Sequence, residues 1–177
     1  MDAVEVLLIG GRAGVGKTTV GWEVSARLRT ASIAHAVIEG DFLAQVHPPP
    51  PDDPRRSQLA ESNLRAMWAN YIRLGYRRLI YTNTVSVLPE TTAMFHRVMG
   101  DDVRLTGVLL TASDHTITQR LTAREIGSEL AHELRNSARK ARLLDAETPS
   151  DTVRIPTDDR PITDIAHQIV TLTGWTN

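Results

Sequence analysis

Gly11, Gly16, Lys17 and Thr18 fall at the spacing G-x-x-x-x-G-K-[ST] within GGRAGVGKTT, positions 10–19. Each residue type there has a task toward a phosphate chain. Glycines at 10, 11, 14 and 16 let the backbone wrap an anion with its N–H groups turned inward. A helix starting near Lys17 adds the positive end of its dipole. The Lys17 ammonium reaches the terminal phosphates, and the Thr18 hydroxyl is a ligand for Mg2+. Gly11, Arg12, Ala13, Gly14, Val15, Gly16, Lys17, Thr18 and Thr19 are therefore the expected nucleotide-binding segment, with Thr18 at the metal. Such a cradle alone does not separate a kinase from a hydrolysing machine or a switch. The acids and arginines around it do.

Transfer of a phosphoryl group to a hydroxyl needs an acceptor-side carboxylate, positive charge on the moving group and exclusion of water. Asp41, in VIEGDFL, ends a strand-like run and faces the cradle across the cleft where open α/β sheets bind ligands. It is expected to orient the acceptor oxygen; the competing role is the cap of a short helical turn. Glu39 is the weaker candidate, read as turned away from Asp41 by strand alternation. The third strand-like run, LIYTNTV, offers Asn83 and no acid, which argues against a hydrolysing motor. Asn83 is left open between holding a metal-bound water, contacting substrate and tying down a loop. Arg120 and Arg124 share a helical face, and Arg135 follows; together they are expected to cover the transferring phosphoryl. Arg139 and Arg142 read as a solvated face, and Glu125, Glu129 and Glu133 are possible ion-pair partners in the same stretch. Thr157, Asp158 and Arg160, in PTDDRP, are open between contacting the base and forming an ordinary polar turn. Acceptor contacts are expected from residues 42 to 70, with Arg55, Arg56 and Arg65 toward an anionic group and Trp68 toward an aromatic one, although Trp68 also falls on the apolar stripe Leu64, Met67, Trp68, Tyr71 and Ile72, which reads as core. The six histidines show no metal-ligand spacing.

The elements that must position these groups follow from hydrophobic period. Val4 to Ile9 is a β-branched and leucine run ending in glycines, and reads as a buried parallel strand. Val20, Val24 and Leu28 then recur at helical spacing. Further strands are expected within 33–41, 77–86, 101–113 and 151–157, with helices over 57–74, from Pro89, from Asp114 as N-cap to Arg124, over 125–145 and over 161–172. HPPPPDDP at 47–54 cannot be regular structure. Alternation of strand and helix without repeat or linker predicts one α/β domain over residues 1–177: a five-stranded parallel sheet covered on both faces, with a helical lid at about 120–140. A chain of 177 residues with 41% hydrophobic and 23% charged residues suits one such core. The net charge of −1 supplies no global field for nucleic acid or anionic lipid. No apolar run approaches the roughly 18 residues of a membrane span. The lack of cysteine and of a basic N-terminal leader fits a soluble cytoplasmic protein.

With these pieces in place, the chain resembles the small P-loop kinases of the shikimate, gluconate, adenylyl-sulfate and chloramphenicol phosphotransferase type, and among them the tunicamycin-resistance-like ATP-binding proteins. GGRAGVGKTTVGWEVSARL looks like their first strand–loop–helix, and VIEGDFL is similar to an adenylyl-sulfate kinase stretch with a G-D pair. TQRLTAREIGSELAHELRNS looks like the lid, and VRIPTDDRPITDIAHQIV like the last strand and adenine-side loop. The resemblance implies the P-loop NTPase fold, ATP with Mg2+, Asp41 on the acceptor side, and Arg120 and Arg124 near the phosphates. It implies transfer of the γ-phosphoryl of ATP to a hydroxyl of a small molecule, of the natural-product or antibiotic kind. The alternative is a nucleotide-binding regulatory or partner module with little or no transfer, which the missing acid on the third strand favours. The absence of N-K-x-D disfavours guanine.

Overall fold

The computed structural model describes residues 3–124 and 129–176. Five strands, β1 (Glu5–Gly10), β2 (Ala36–Glu39), β3 (Arg78–Thr82), β4 (Arg104–Thr111) and β5 (Val153–Pro156), form one all-parallel sheet in the order β2-β3-β1-β4-β5. Helices α1 (Lys17–Thr30), α2 (Ser57–Arg73), α3 (Pro89–Met99), α4 (Asp114–Arg124), α5 (Glu129–Glu147) and α6 (Ile162–Thr173) complete the α/β fold. Parallel strands need helical crossovers and are covered on both faces, which is why their sequences run apolar without interruption. Alternation in β1 splits the core: Leu7 and Ile9 join Val24, Leu28 and Ile169 on one face, while Val6 and Leu8 join Leu64, Trp68 and Phe95 on the other. Because β1 is central, its carboxyl end lies at the crevice where strand order reverses, and the phosphate loop starts there. Among the described residues no helix is long and apolar enough to cross a membrane.

Several local expectations shift for identifiable reasons. Strand β2 starts only at Ala36, because the His35 ring bridges the Ile33 carbonyl and Ser25 Oγ, each at 2.8 Å. Strand β3 stops at Thr82, because Asn83 Oδ1 accepts the Val85 N–H at 3.0 Å and turns the chain. Asp114 is not a cap. Ser113 Oγ accepts the Thr116 N–H at 3.2 Å in the N-cap role, which leaves Asp114 to pair with Arg12 at 2.6 Å. The proline segment folds into turns rather than extending, and it delivers Asp53. That carboxylate accepts the N–H groups of Ser57 (2.9 Å) and Leu59 (3.0 Å), capping α2. Burial alone would raise the Asp53 pKa, but the Leu59 and Ser57 hydrogen bonds outweigh it and hold it below the ordinary 3.8. Residues 125–128 of the expected lid, with Glu125, lie outside the described residues, as does the Glu129 side chain.

Candidate active site

The phosphate loop is held from outside by side chains that take its carbonyls. Ser137 Oγ, buried on α5, donates to the Ala13 carbonyl at 3.1 Å. The Arg120 guanidinium donates to the Val15 carbonyl at 3.3 Å, and to Thr157 Oγ1 at 3.0 Å and its carbonyl at 3.1 Å. In a trans peptide the N–H opposes the preceding C=O. With the Ala13 and Val15 carbonyls taken up in this way, the trans peptides turn the Gly14 and Gly16 amides to the opposite side. Gly16 adopts φ 99°, ψ 21° ahead of α1, which has no side-chain cap, so its first-turn amides stay available to an anion. Gly11 (φ 141°) lies against the Leu110 carbonyl, where an added Cβ would sit 2.7 Å away. A side chain there would push the loop off β4.

Ala13 to Thr19 line a cavity of about 720 Å³ together with Asp41, Arg120, Arg124, Asn136, Thr157 and Arg160. Gly11 and Arg12 do not line it: Arg12 is buried, and its guanidinium bonds the Ala112 carbonyl at 3.0 Å as well as Asp114. Asp158 is also elsewhere. It accepts from the Ser113 hydroxyl at 2.8 Å and the Ser113 amide at 3.0 Å, anchoring the start of α4. Hydrogen bonds from the Thr116 and Ser113 hydroxyls hold its pKa down at about 2. Arg135 is exposed on α5 and outside the cavity lining, where the neighbouring Asn136 stands instead. Arg120 lines the cavity, but its hydrogen bonds commit it to bracing the loop.

Lys17 and Asp41 form the electrostatic centre. Burial depresses the Lys17 pKa, Asp41 and Glu39 counter that, and Arg124 adds to it. For Asp41, crowding by protein raises the pKa although the carboxylate remains solvent-accessible; Lys17 opposes the rise and Glu39 reinforces it. Asn83 Nδ2 donates to Asp41 Oδ1 at 2.7 Å while its Oδ1 ties the turn, so it both orients the acid and fixes the loop. Asp41 and Gln45 also line a second cavity of about 690 Å³ on the far side, with Arg55, Arg56, Asn83, Leu88, Met94 and Lys140. Trp68 is not there: it is 4% exposed, in the core. Arg65 is occupied with Glu61 at 3.3 Å outside this cavity, and Arg97, which lines it, also holds Glu61 at 2.7 Å.

Glu39 is not turned away from the site. Its Oε2 accepts the Thr18 hydroxyl at 3.0 Å and its Oε1 accepts the Trp22 indole N–H at 3.1 Å. Strand alternation could not find it, because β2 ends at Glu39 and Asp41 lies in the 3-10 turn Gly40–Phe42. Glu39 stands on β2 beside Thr18, whereas β3 carries no acid. Thr18 and Glu39 suit a hard cation that binds one carboxylate and substrate phosphates rather than a dedicated protein cage. Among the described residues no group of three or more His, Cys, Asp or Glu is arranged for a metal.

No protein-family model matches the chain, nor does any curated protein. Solved structures do. The Mycobacterium tuberculosis APS kinase CysC, in complex with AMPPNP and APS, is 19% identical with a TM-score of 0.62, over 97% of this chain and 98% of that one. The Deinococcus radiodurans tunicamycin resistance protein is 18% identical with a TM-score of 0.67, over 97% and 96%. A gluconokinase from Sinorhizobium meliloti 1021 is 17% identical with a TM-score of 0.61, over 98% and 94%. The fold is that of the small P-loop kinases.

Proposed function

We propose that the protein is an ATP-dependent phosphotransferase that moves the γ-phosphoryl group to a hydroxyl of a small molecule. The observation that carries this reading is the position of Asp41, the acid shared by the loop-lined cavity and the second cavity beyond it. A nucleotide bound at the loop and an alcohol in the second cavity would meet at that carboxylate. The Gly14 and Gly16 amides, the first turn of α1 and Lys17 hold the phosphates. Thr18 and Glu39 would hold Mg2+, which when bound offsets the phosphate charge. Arg124 lies where charge gathers on the moving group, and Thr157 and Arg160 lie toward the base. Asp41 accepts the hydrogen bond of the acceptor O–H and aligns that oxygen with the γ-phosphorus. As the new O–P bond forms, the bond to the β–γ bridging oxygen breaks, ADP leaves, and the hydroxyl proton passes to Asp41. The second cavity is large for a simple sugar acid and suits a natural-product-sized acceptor. Arg55 and Arg56 lie in its wall for an anionic substituent.

The alternative, a binding module with little or no transfer, is favoured by the lack of an acid on β3; a metal role for Glu39 would weaken that support. The test is a panel of hydroxyl compounds and antibiotics with γ-labelled ATP, run on wild type and Asp41→Asn. Turnover of any accepted compound is expected to fall about 10²–10⁴-fold in the variant with nucleotide affinity almost unchanged. Equal losses in both would make Asp41 structural, and no transfer to any compound would remove the kinase reading.

A further inference from the structure

Trp22 stands one turn after Thr18 on α1, so both present to the same neighbour, Glu39. The carboxylate is held at both ends, with the Thr18 hydroxyl on Oε2 at 3.0 Å and the Trp22 indole N–H on Oε1 at 3.1 Å. Yet Trp22 is 49% exposed, unlike Trp68 and Trp175, which are each 4% exposed and sit in the core. A half-exposed tryptophan on a surface helix contributes little packing. What its position does provide is an N–H donor fixed on the carboxylate beside the nucleotide's metal position.

The consequence is selectivity. Thr18 Oγ1 and Glu39 Oε2 are hydrogen-bonded at 3.0 Å and would both lie beside a Mg2+, which takes bonds of about 2.0–2.1 Å to one or two carboxylates and substrate phosphates. Ca2+ has longer bonds, about 2.3–2.6 Å, and readily takes both oxygens of one carboxylate. The Trp22 N–H holds Oε1 toward α1, so turning both Glu39 oxygens onto one ion would cost that hydrogen bond. We propose that Trp22 is a positioning residue that holds Glu39 in a one-oxygen geometry and thereby sets the preference of the nucleotide site for Mg2+ over Ca2+. This rests on the nucleotide reading of the loop but not on any acceptor.

The test measures binding of AMPPNP, which cannot be turned over, by calorimetry in MgCl2, CaCl2 or EDTA. Trp22→Phe keeps an aromatic ring and loses the donor; Trp22→Gln loses the ring and keeps an N–H. The expected result is a roughly tenfold fall in the Mg2+-to-Ca2+ affinity ratio for the phenylalanine variant. Affinity in EDTA should stay at the wild-type value, and the glutamine variant should recover most of the ratio. An unchanged ratio in Trp22→Phe overturns the proposal. So does a parallel loss in EDTA, or a glutamine variant that behaves as phenylalanine does. Because no acceptor is present, these outcomes stand apart from a failure of phosphotransfer. Failure of wild type to bind AMPPNP at all would overturn the nucleotide reading, and this proposal with it.

Discussion

Lys17 and Asp41 line the same cavity, and desolvation shifts their pKa values in opposite directions. Burial lowers the Lys17 pKa and crowding raises that of Asp41, with each partly rescued by its opposite charge. Under the proposed transfer, Asp41 anchors the acceptor and must be ionised. Catalysis is therefore present above its raised pKa and lost as pH falls through it, so the acid limb of kcat/KM lies above the ordinary carboxylate value of 3.8. The Asn83 amide donates to that carboxylate and favours its charged form. Asn83→Ala is expected to move the acid limb to still higher pH, read from kcat/KM profiles of both proteins; a limb that stays put, or moves down, would deny Asn83 that role. Lys17, Thr18 and Asp41 could be found without coordinates because they occupy fixed offsets from a strand end. Ser137, Asn136 and Trp22 could not, since their proximity to the loop depends on how α5 and α1 pack. Arg12, Asp158 and Trp68 show the converse: a suggestive place in the chain, with the side chain used for bracing or burial instead.

The turn between β2 and α2 has to place Asp41 within reach of Lys17, and one packing contact governs it. Gly40 begins a 3-10 turn, Gly40–Phe42, and lies directly on Tyr81. A Cβ at Gly40 would overlap the Tyr81 hydroxyl and ring edge. The ring has little room to move, because it stands edge-on to the fully buried Phe95 with centroids 4.9 Å apart. Gly40→Ala is therefore an overpacking change, expected to cost about 1–3 kcal/mol and to lower Tm by about 3–10 °C. It should also slow turnover by displacing Asp41. Adding Tyr81→Phe removes the closest atom, so the double variant should regain part of the loss in a thermal-melt cycle; strictly additive effects would count against the contact. The strands and helices were readable because parallel strands buried on both faces leave uninterrupted apolar runs, and each helix buries a stripe of fixed period. The segment from 47 to 56 was not, because its conformation depends on Asp53 reaching the amides of Ser57 and Leu59, which no periodicity encodes.

The nucleotide cavity is assembled from parts of the chain that are distant in sequence: the β1–α1 loop, Asp41 after β2, Arg124 on α4, Asn136 on α5, and Thr157 and Arg160 after β5. With a net charge of −1, attraction for a polyphosphate has to come from this local convergence rather than from a global field. A ligand that touches all of these parts binds the folded chain and not the unfolded one, so its binding energy adds to the stability of the whole sheet. At a hundred times its dissociation constant that addition is about 2.7 kcal/mol, which for a chain of this size is a rise in Tm of about 5–10 °C. Adding AMPPNP with Mg2+ should give that rise in a melt followed by circular dichroism, and replacing Mg2+ by EDTA should reduce it. If Asp41 serves the acceptor, as proposed, Asp41→Asn should keep most of the rise. Lys17→Met should abolish it while melting, without ligand, close to wild type. If Asp41→Asn instead lost the whole shift, the acid would belong to nucleotide binding, and the division of labour between the two cavities would have to be abandoned.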